Sequence, residues 1–222
     1  MKKYILIALS VLAISGCAHM QEPTKTRQGN TITSKGYPAA TIKVDSDFRY
    51  ADETNNYISA VTEPHATGRS NIDSTKFIYG EARNGRAKAF AVIRFMRMQQ
   101  HGWRFLRESE WSSPGILYSK VDTAIGEMEA YSGITQAEGF VDWAAPGASF
   151  SDHEGCVAAT IIRQIPRAMA RYKFQITYAE FMPCDNIDQF YYDDMTPTRT
   201  AKLRLERLRE NALKDITIIS TE

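Results

Sequence analysis

Apolar and polar positions alternate with period two through much of the middle of this chain, the spacing that predicts strands. From Arg171 to Met182, Tyr172, Phe174, Ile176 and Tyr178 alternate with Lys173, Gln175 and Thr177, which predicts a strand in a sheet with one wet face. The preceding run CVAATIIRQIP, Cys156 to Pro166, is β-branched and apolar enough to be its neighbour, in a hairpin centred near Ala170. Between Thr75 and Met98, Asn84-Gly85 separates two β-prone halves, a strong signal for a type I′ turn. Pairing outward from Arg83 and Arg86 sets Glu81 opposite Lys88, Tyr79 opposite Phe90 and Phe77 opposite Val92, so charge and aromatic pairs favour one register. A helix from Arg86 to Gln100 competes, because Ala, Arg and Met are good helix formers; the turn chemistry favours the hairpin. Weaker strand signals lie at Thr41–Val44, Leu117–Val121, Gly126–Tyr131 and Phe140–Trp143.

The period changes in the tail. Thr196-Pro197 offers an N-cap followed by Pro at the first helical position. Ala201, Leu205, Leu208, Ala212 and Ile216 then form one apolar stripe at helical spacing, flanked by Lys202–Glu206 and Glu210–Lys214 at i,i+4. Such a helix most simply packs on a sheet. Its polar face mixes both signs, which argues against a membrane-surface helix. The expected class is therefore α+β, a twisted antiparallel sheet with hairpins and a C-terminal amphipathic helix packed on it.

A different pattern occupies the N-terminus, MKKYILIALSVLAISGC. Lys2 and Lys3 precede the apolar run Tyr4 to Ile14, and small Ser15 and Gly16 precede Cys17, the layout of a secretory signal. The run is too short to span a bilayer, which takes about 20 residues. The stretch LAISGC, Leu12 to Cys17, resembles the lipobox of bacterial lipoprotein precursors, in which an aliphatic residue stands three before the cysteine and small residues follow. That resemblance covers residues 1–17 and implies cleavage after Gly16, diacylation of the Cys17 thiol and, usually, acylation of the new amino group, palmitate being the typical chain there. A single acyl chain holds only weakly, whereas two or three hold durably at about 0.8 kcal/mol per buried CH₂. By the same resemblance, Ala18 in place of Asp directs export to the outer membrane, with the protein facing the periplasm.

Residues 18–36 are polar and without apolar periodicity, a composition that reads as a flexible tether. The expected organisation is a signal peptide at 1–16, a lipidated cysteine and tether at 17–36, and a single α+β domain at 37–222.

Composition narrows the function. Of 222 residues, 43% are hydrophobic, enough for an ordinary core. Lys and Arg number 27 against 26 Asp and Glu, and this balance gives no field that would draw the chain to nucleic acid. No GxGxxG or P-loop supports a nucleotide, and no cofactor is expected. Beyond Cys17 only Cys156 and Cys184 remain, an even pair in an exported chain, so one disulfide is expected, facing across the open end of the hairpin.

The strongest cluster of reactive side chains is Asp152, His153 and Glu154 in SFSDHEGC, an imidazole between two carboxylates. Consecutive residues point different ways, and no HExxH or GxSxG accompanies them, so a solvated loop is the simpler reading and no metal site is assigned. His19, His65 and His101 are isolated. In CDNIDQFYYDDM, the aromatics Phe190, Tyr191 and Tyr192 read as a plug against the sheet, and Asp185, Asp188, Asp193 and Asp194 as solvated; the spacing is not that of a calcium loop. Trp103, Trp111 and Trp143 are candidates for a groove, core or rim. The reading is a membrane-anchored periplasmic lipoprotein acting as a binding or envelope-assembly module, with an envelope protein, glycan or lipid as partner. The alternative is a lipid-anchored hydrolase or metal-dependent enzyme using His153 with distant partners. The absence of a coherent catalytic motif leans away from the enzyme.

Overall fold

A computed structural model of the chain describes residues 24–61, 69–83, 86–99, 115–145, 155–165 and 171–221. In chain order its strands are β1 (Lys25–Gln28), β2 (Thr31–Ser34), β3 (Ala40–Val44), β4 (Arg49–Val61), β5 (Arg69–Arg83), β6 (Arg86–Met98), β7 (Leu117–Thr123), β8 (Gly126–Gln136), β9 (Cys156–Gln164), β10 (Tyr172–Met182) and β11 (Ile216–Ser220). Among the described residues, two helices, α1 (Ala137–Ala144) and α2 (Arg199–Asp215), and a 3₁₀ turn at Ile187–Phe190 join these strands. Strand makes up 60% of the described residues, in two antiparallel sheets, which overturns the α+β expectation: the fold is mainly β.

The large sheet has the order β4-β5-β6-β10-β9-β8-β7. It consists of two meanders, β4 to β6 and β7 to β10, that meet last strand to last strand, with Phe174 opposite Phe95 and Ile176 opposite Ile93. The small sheet has the order β1-β2-β3-β11. Its apolar face, with Ile32, Ala40, Ile42, Val44 and Ile216, shares one core with Phe77, Ile93, Phe95, Phe174, Ile176 and Tyr178 of the large sheet.

Helix α2 joins the same core. Ala201, Leu205, Leu208 and Ala212 are buried where it lies over β8, β9 and β10, as the apolar stripe requires. Its cap differs from expectation: Thr198, two residues past Thr196, accepts from the Ala201 N–H at 3.3 Å. Thr196 is instead held by Asp194, whose carboxylate accepts from its N–H and hydroxyl. The helix also ends one residue before Ile216, which opens β11. Asp215 accepts a 2.8 Å hydrogen bond from the Tyr178 hydroxyl, tying the end of α2 to β10.

Several local expectations change. The tether expected over 17–36 gives way from Lys25 onward to β1 and β2, turned by Gly29 at φ +59° and locked by Asn30, which donates to the Asp45 and Phe48 carbonyls. Phe140–Trp143 belongs to α1, because Ala137, Phe140, Val141 and Ala144 recur at helical spacing. The β5–β6 hairpin forms, but a bulge shifts it by one residue beyond Ala82 and pairs Glu81 with Ala89, Tyr79 with Ala91 and Phe77 with Ile93. That slip places Phe77 and Tyr79 on the face shared by Ala91, Ile93 and Phe95, so core burial overrides the aromatic pairs. The Lys88–Glu81 ion pair survives at 2.7 Å.

The Cys156–Cys184 disulfide is present, with Cα atoms 5.6 Å apart. The two cysteines are not directly opposed, since Cys156 pairs with Met182 and the bridge reaches the residue two further on. Among the described residues, no helix is long and apolar enough to cross a membrane.

Candidate functional site

Each strand presents alternate residues to opposite faces of its sheet. One face of the large sheet meets the small sheet and α2. On the other, at one end, Val141, Ala144 and half-buried Phe140 of α1 pack with Phe90, Val157, Ala159 and Ala179. Farther along this second face the registers align polar side chains across five strands. Lys76 lies opposite Arg94, Arg94 opposite Gln175, Gln175 opposite Arg163, and Arg163 opposite Glu129. Lys173 stands two residues from Gln175 on the same face.

This is the face that the alternation in β10 marked as wet, and it is not. Lys76, Arg163, Gln175 and Thr177 are buried, Arg163 at 6% exposure and Thr177 at 3%. Alternation reports which side chains share a face; it does not report whether that face meets water. Burial is tolerable where polar groups find partners. The Arg163 guanidinium donates to Glu129 at 2.9 Å and to the Tyr131 hydroxyl at 3.1 Å, and stacks 4.8 Å from the centre of the Tyr131 ring. Arg94 donates to the Ser74 hydroxyl at 2.8 Å, and Gln175 to that of Thr177 at 3.2 Å.

Electrostatics follow from this burial. Desolvation, with Arg163 and Arg94 adding to it, pushes the Lys173 ammonium down to about 7. Lys76 is lowered by burial and then by Arg94, and Arg94 by burial alone. The Tyr131 phenol is raised, chiefly by burial. The local field is thus cationic, with Glu129 as its partial counterweight.

Beside this row lies a cavity of about 560 Å³. Tyr131, Arg163, Lys173 and Gln175 line one part of it, Ile116, Phe140, Ala159, Ile161, Ile187 and Met195 most of the remainder, and Thr135 adds a hydroxyl near α1. Sites for small molecules run from about 300 to 1,000 Å³, mostly apolar with a few placed polar groups. Tyr191 completes the boundary where β8 outruns β7. Its hydroxyl accepts from the Ile134 N–H at 2.8 Å and donates to the Ile134 carbonyl at 2.9 Å, filling the place of a missing strand residue. A Cβ on Gly115, at φ +91°, would come within 3.1 Å of the Tyr191 ring, so glycine permits this approach.

Of the sequence-predicted residues, Phe190 and Tyr191 pack against the core as a plug, while Tyr192, Asp185, Asp188, Asp193 and Asp194 are exposed. Cys17, His19, His65, His101, Trp103, Trp111, Asp152, His153 and Glu154 lie outside the described residues, and Trp143 belongs to α1. Among the described residues, no group of three or more His, Cys, Asp or Glu could hold a metal ion. Tyr131, Arg163, Lys173 and Gln175 were not singled out from the sequence as site residues. The signal was there in Arg163, a lone cation inside the apolar run CVAATIIRQIP.

Fold and cavity define a two-sheet antiparallel β protein with a ligand-sized, one-sidedly cationic cavity on its larger sheet. Comparison with protein-family models, curated proteins and solved structures gives no match for this chain.

Proposed function

We propose that this chain is a membrane-anchored lipoprotein, facing the periplasm from the outer membrane, whose folded part is a ligand-binding module. The observation that carries the binding half is the cavity of about 560 Å³, mainly apolar, with its cationic groups Arg163 and Lys173 gathered on one side. Such an arrangement buries a small molecule and orients it, since the apolar wall supplies non-directional affinity and the polar groups fix direction. The anchoring half rests on LAISGC, with Cys17 as the acylated residue.

The two halves are tested separately. In cells given a radiolabelled fatty acid, Cys17→Ser should abolish labelling and release the protein from membranes; persistent labelling with membrane retention overturns the anchor. Full-length protein purified from membranes should carry a small molecule at near-unit stoichiometry by mass spectrometry of an organic extract, and Ala159→Phe should remove it. Protein that carries none, and whose thermal stability no amphiphile raises, overturns the binding reading.

A further inference from the structure

We infer that the cavity takes an anionic amphiphile with a single apolar chain, its head against Arg163, Lys173 and Gln175 and its chain against Ile161, Ala159 and Phe140. This deepens the binding-module reading and rests on it. The lining of the cavity changes character along β9. Arg163 gives way to Ile161 and then Ala159 on one face, a span of about 13 Å at ~3.3 Å per residue. A ligand lying along this strand meets a cation at one end and hydrocarbon over the remainder.

Charge complementarity selects the head. Among the buried and half-buried residues of the row and beside it, Lys76, Arg94, Arg163 and Lys173 stand against one carboxylate, Glu129, while exposed Lys120 and Glu127 at the β7 end pair with each other at 2.8 Å. Arg94, Arg163 and Lys173 have interactions within the protein, so what selects the head is surplus charge and not vacant hydrogen bonds. A buried cationic surplus is costly, and an anion in contact with it removes much of that cost. A neutral or cationic ligand leaves it in place.

The apolar wall selects the remainder of the molecule. A small anion such as phosphate would occupy only the region of Arg163 and Lys173, leaving Ile116, Phe140 and Ile161 facing water in a cavity too large for it. At roughly 30 Å³ for each water-sized group, about 560 Å³ holds on the order of twenty non-hydrogen atoms. That volume suits one alkyl chain with its head. The shared chemistry is therefore a negative head on one chain, whether a long-chain carboxylate or a monoalkyl phosphate.

Photolabelling of the full-length protein in a non-ionic detergent tests this. Three diazirine-bearing probes of equal chain length are used, a carboxylate, an alkyl phosphate and the neutral alcohol, with labelled peptides mapped by mass spectrometry. At least one anionic probe should label Tyr131–Thr135 or Ala159–Arg163 saturably, at about tenfold lower concentration than the alcohol, the effect expected of one charge-assisted contact. Lys173→Gln should narrow that preference severalfold, and Ala159→Phe should abolish labelling by every probe. Circular dichroism confirms that each variant is folded; should Lys173→Gln fail to fold, Lys173→Met or Gln175→Leu takes its place. Labelling by the carboxylate alone, the phosphate alone or both identifies the source of the anion. Equal labelling by the alcohol overturns the anionic assignment while the binding module stands, and absence of cavity labelling by all three overturns both.

Discussion

The two faces of the large sheet are made by the same strands and closed by different chemistry. On β10, Phe174, Ile176 and Tyr178 fill one face at 0%, 1% and 2% exposure, against the small sheet and α2. One residue out of step, half-buried Lys173 and buried Gln175 and Thr177 form the other, lined with hydrogen bonds and cations. The first face gains stability from every group it hides. The second hides polar groups whose net contribution to folding is small or unfavourable, because each exchanges water for a protein partner. A sheet that keeps such a face beside a cavity gives up stability there, which is the pattern expected of a functional surface.

The sharpest way to break this comparison is to truncate each face in turn. Phe174→Ala on the apolar face should cost about 4 kcal/mol in urea-unfolding free energy, the usual loss for a buried ring. Gln175→Ala, its neighbour on the polar face, should cost about 1 kcal/mol, because a modest hydrogen bond is lost and buried polar surface goes with it. Equal losses would mean that both faces serve the core alike and that the polar row has no separate role.

Next in size is the disulfide, which anchors the apolar face at Cys156. It closes a loop with a sequence separation of 28. Cys156→Ser with Cys184→Ser should lower stability by about 3 kcal/mol in the chain-entropy account. Photolabelling of the cavity should persist in that variant at temperatures where it stays folded, since Arg163 and Lys173 lie at the far end of the hairpin. Loss of labelling in the folded variant would show that the two faces are mechanically coupled.

How much of this was legible follows from what kind of signal each residue gives. Strand β10, the neighbouring β9, the hairpin at β5–β6 and the apolar stripe of α2 are local patterns, and they read correctly as elements. Strands β1 and β2 carried a usable cue in Gly29-Asn30, a two-residue hairpin signal, but their Thr-rich composition has the polarity of a tether. Strand β4, with RYADETNNYISAV, has the polar character of an edge strand and no alternation to announce it. The cavity is a property of register. Lys76, Arg94, Gln175, Arg163 and Glu129 come from five strands spread over 100 residues of chain, and only the ladder puts them in a row. No local period can encode that, and the bulge beyond Ala82 shows how one inserted residue changes which side chains meet.

Gly155 joins the two faces at one point. Its carbonyl accepts from the N–H of Ala137 at 3.1 Å, holding the start of α1 over the polar face. It sits at φ +96°, where a Cβ would come within 2.8 Å of the Met182 carbonyl. Gly155→Ala should therefore cost about 2 kcal/mol, combining left-handed strain with displacement of a backbone group. Amide hydrogen exchange locates the damage. Faster exchange confined to α1 and the adjoining end of β9 is expected; uniform acceleration through α2 and the small sheet would show that the glycine supports the apolar core instead.

The smallest effect is the most diagnostic of the polar face. In the unfolded chain Lys173 titrates near the ordinary lysine value of about 10.4. In the folded protein burial, with Arg163 and Arg94, brings it down to about 7. Between these values the unfolded chain holds a proton that the folded chain has released, so unfolding free energy rises as pH increases from 7 towards 10. Below pH 7 both states are protonated and the full cost of the buried charge is present. The slope for one such group is no more than about 1.4 kcal/mol per pH unit, and for a partly exposed side chain it should fall below ~1. Lys76 is lowered in the same sense, by burial and then by Arg94. Urea unfolding at pH 7, 8 and 9 should show this rise in the native protein and in Phe174→Ala, whose loss lies on the opposite face, and a flatter line in Lys173→Gln. An unchanged slope in Lys173→Gln would place the lysine in water and remove it from the cationic end of the cavity, leaving Arg163 to define that end alone.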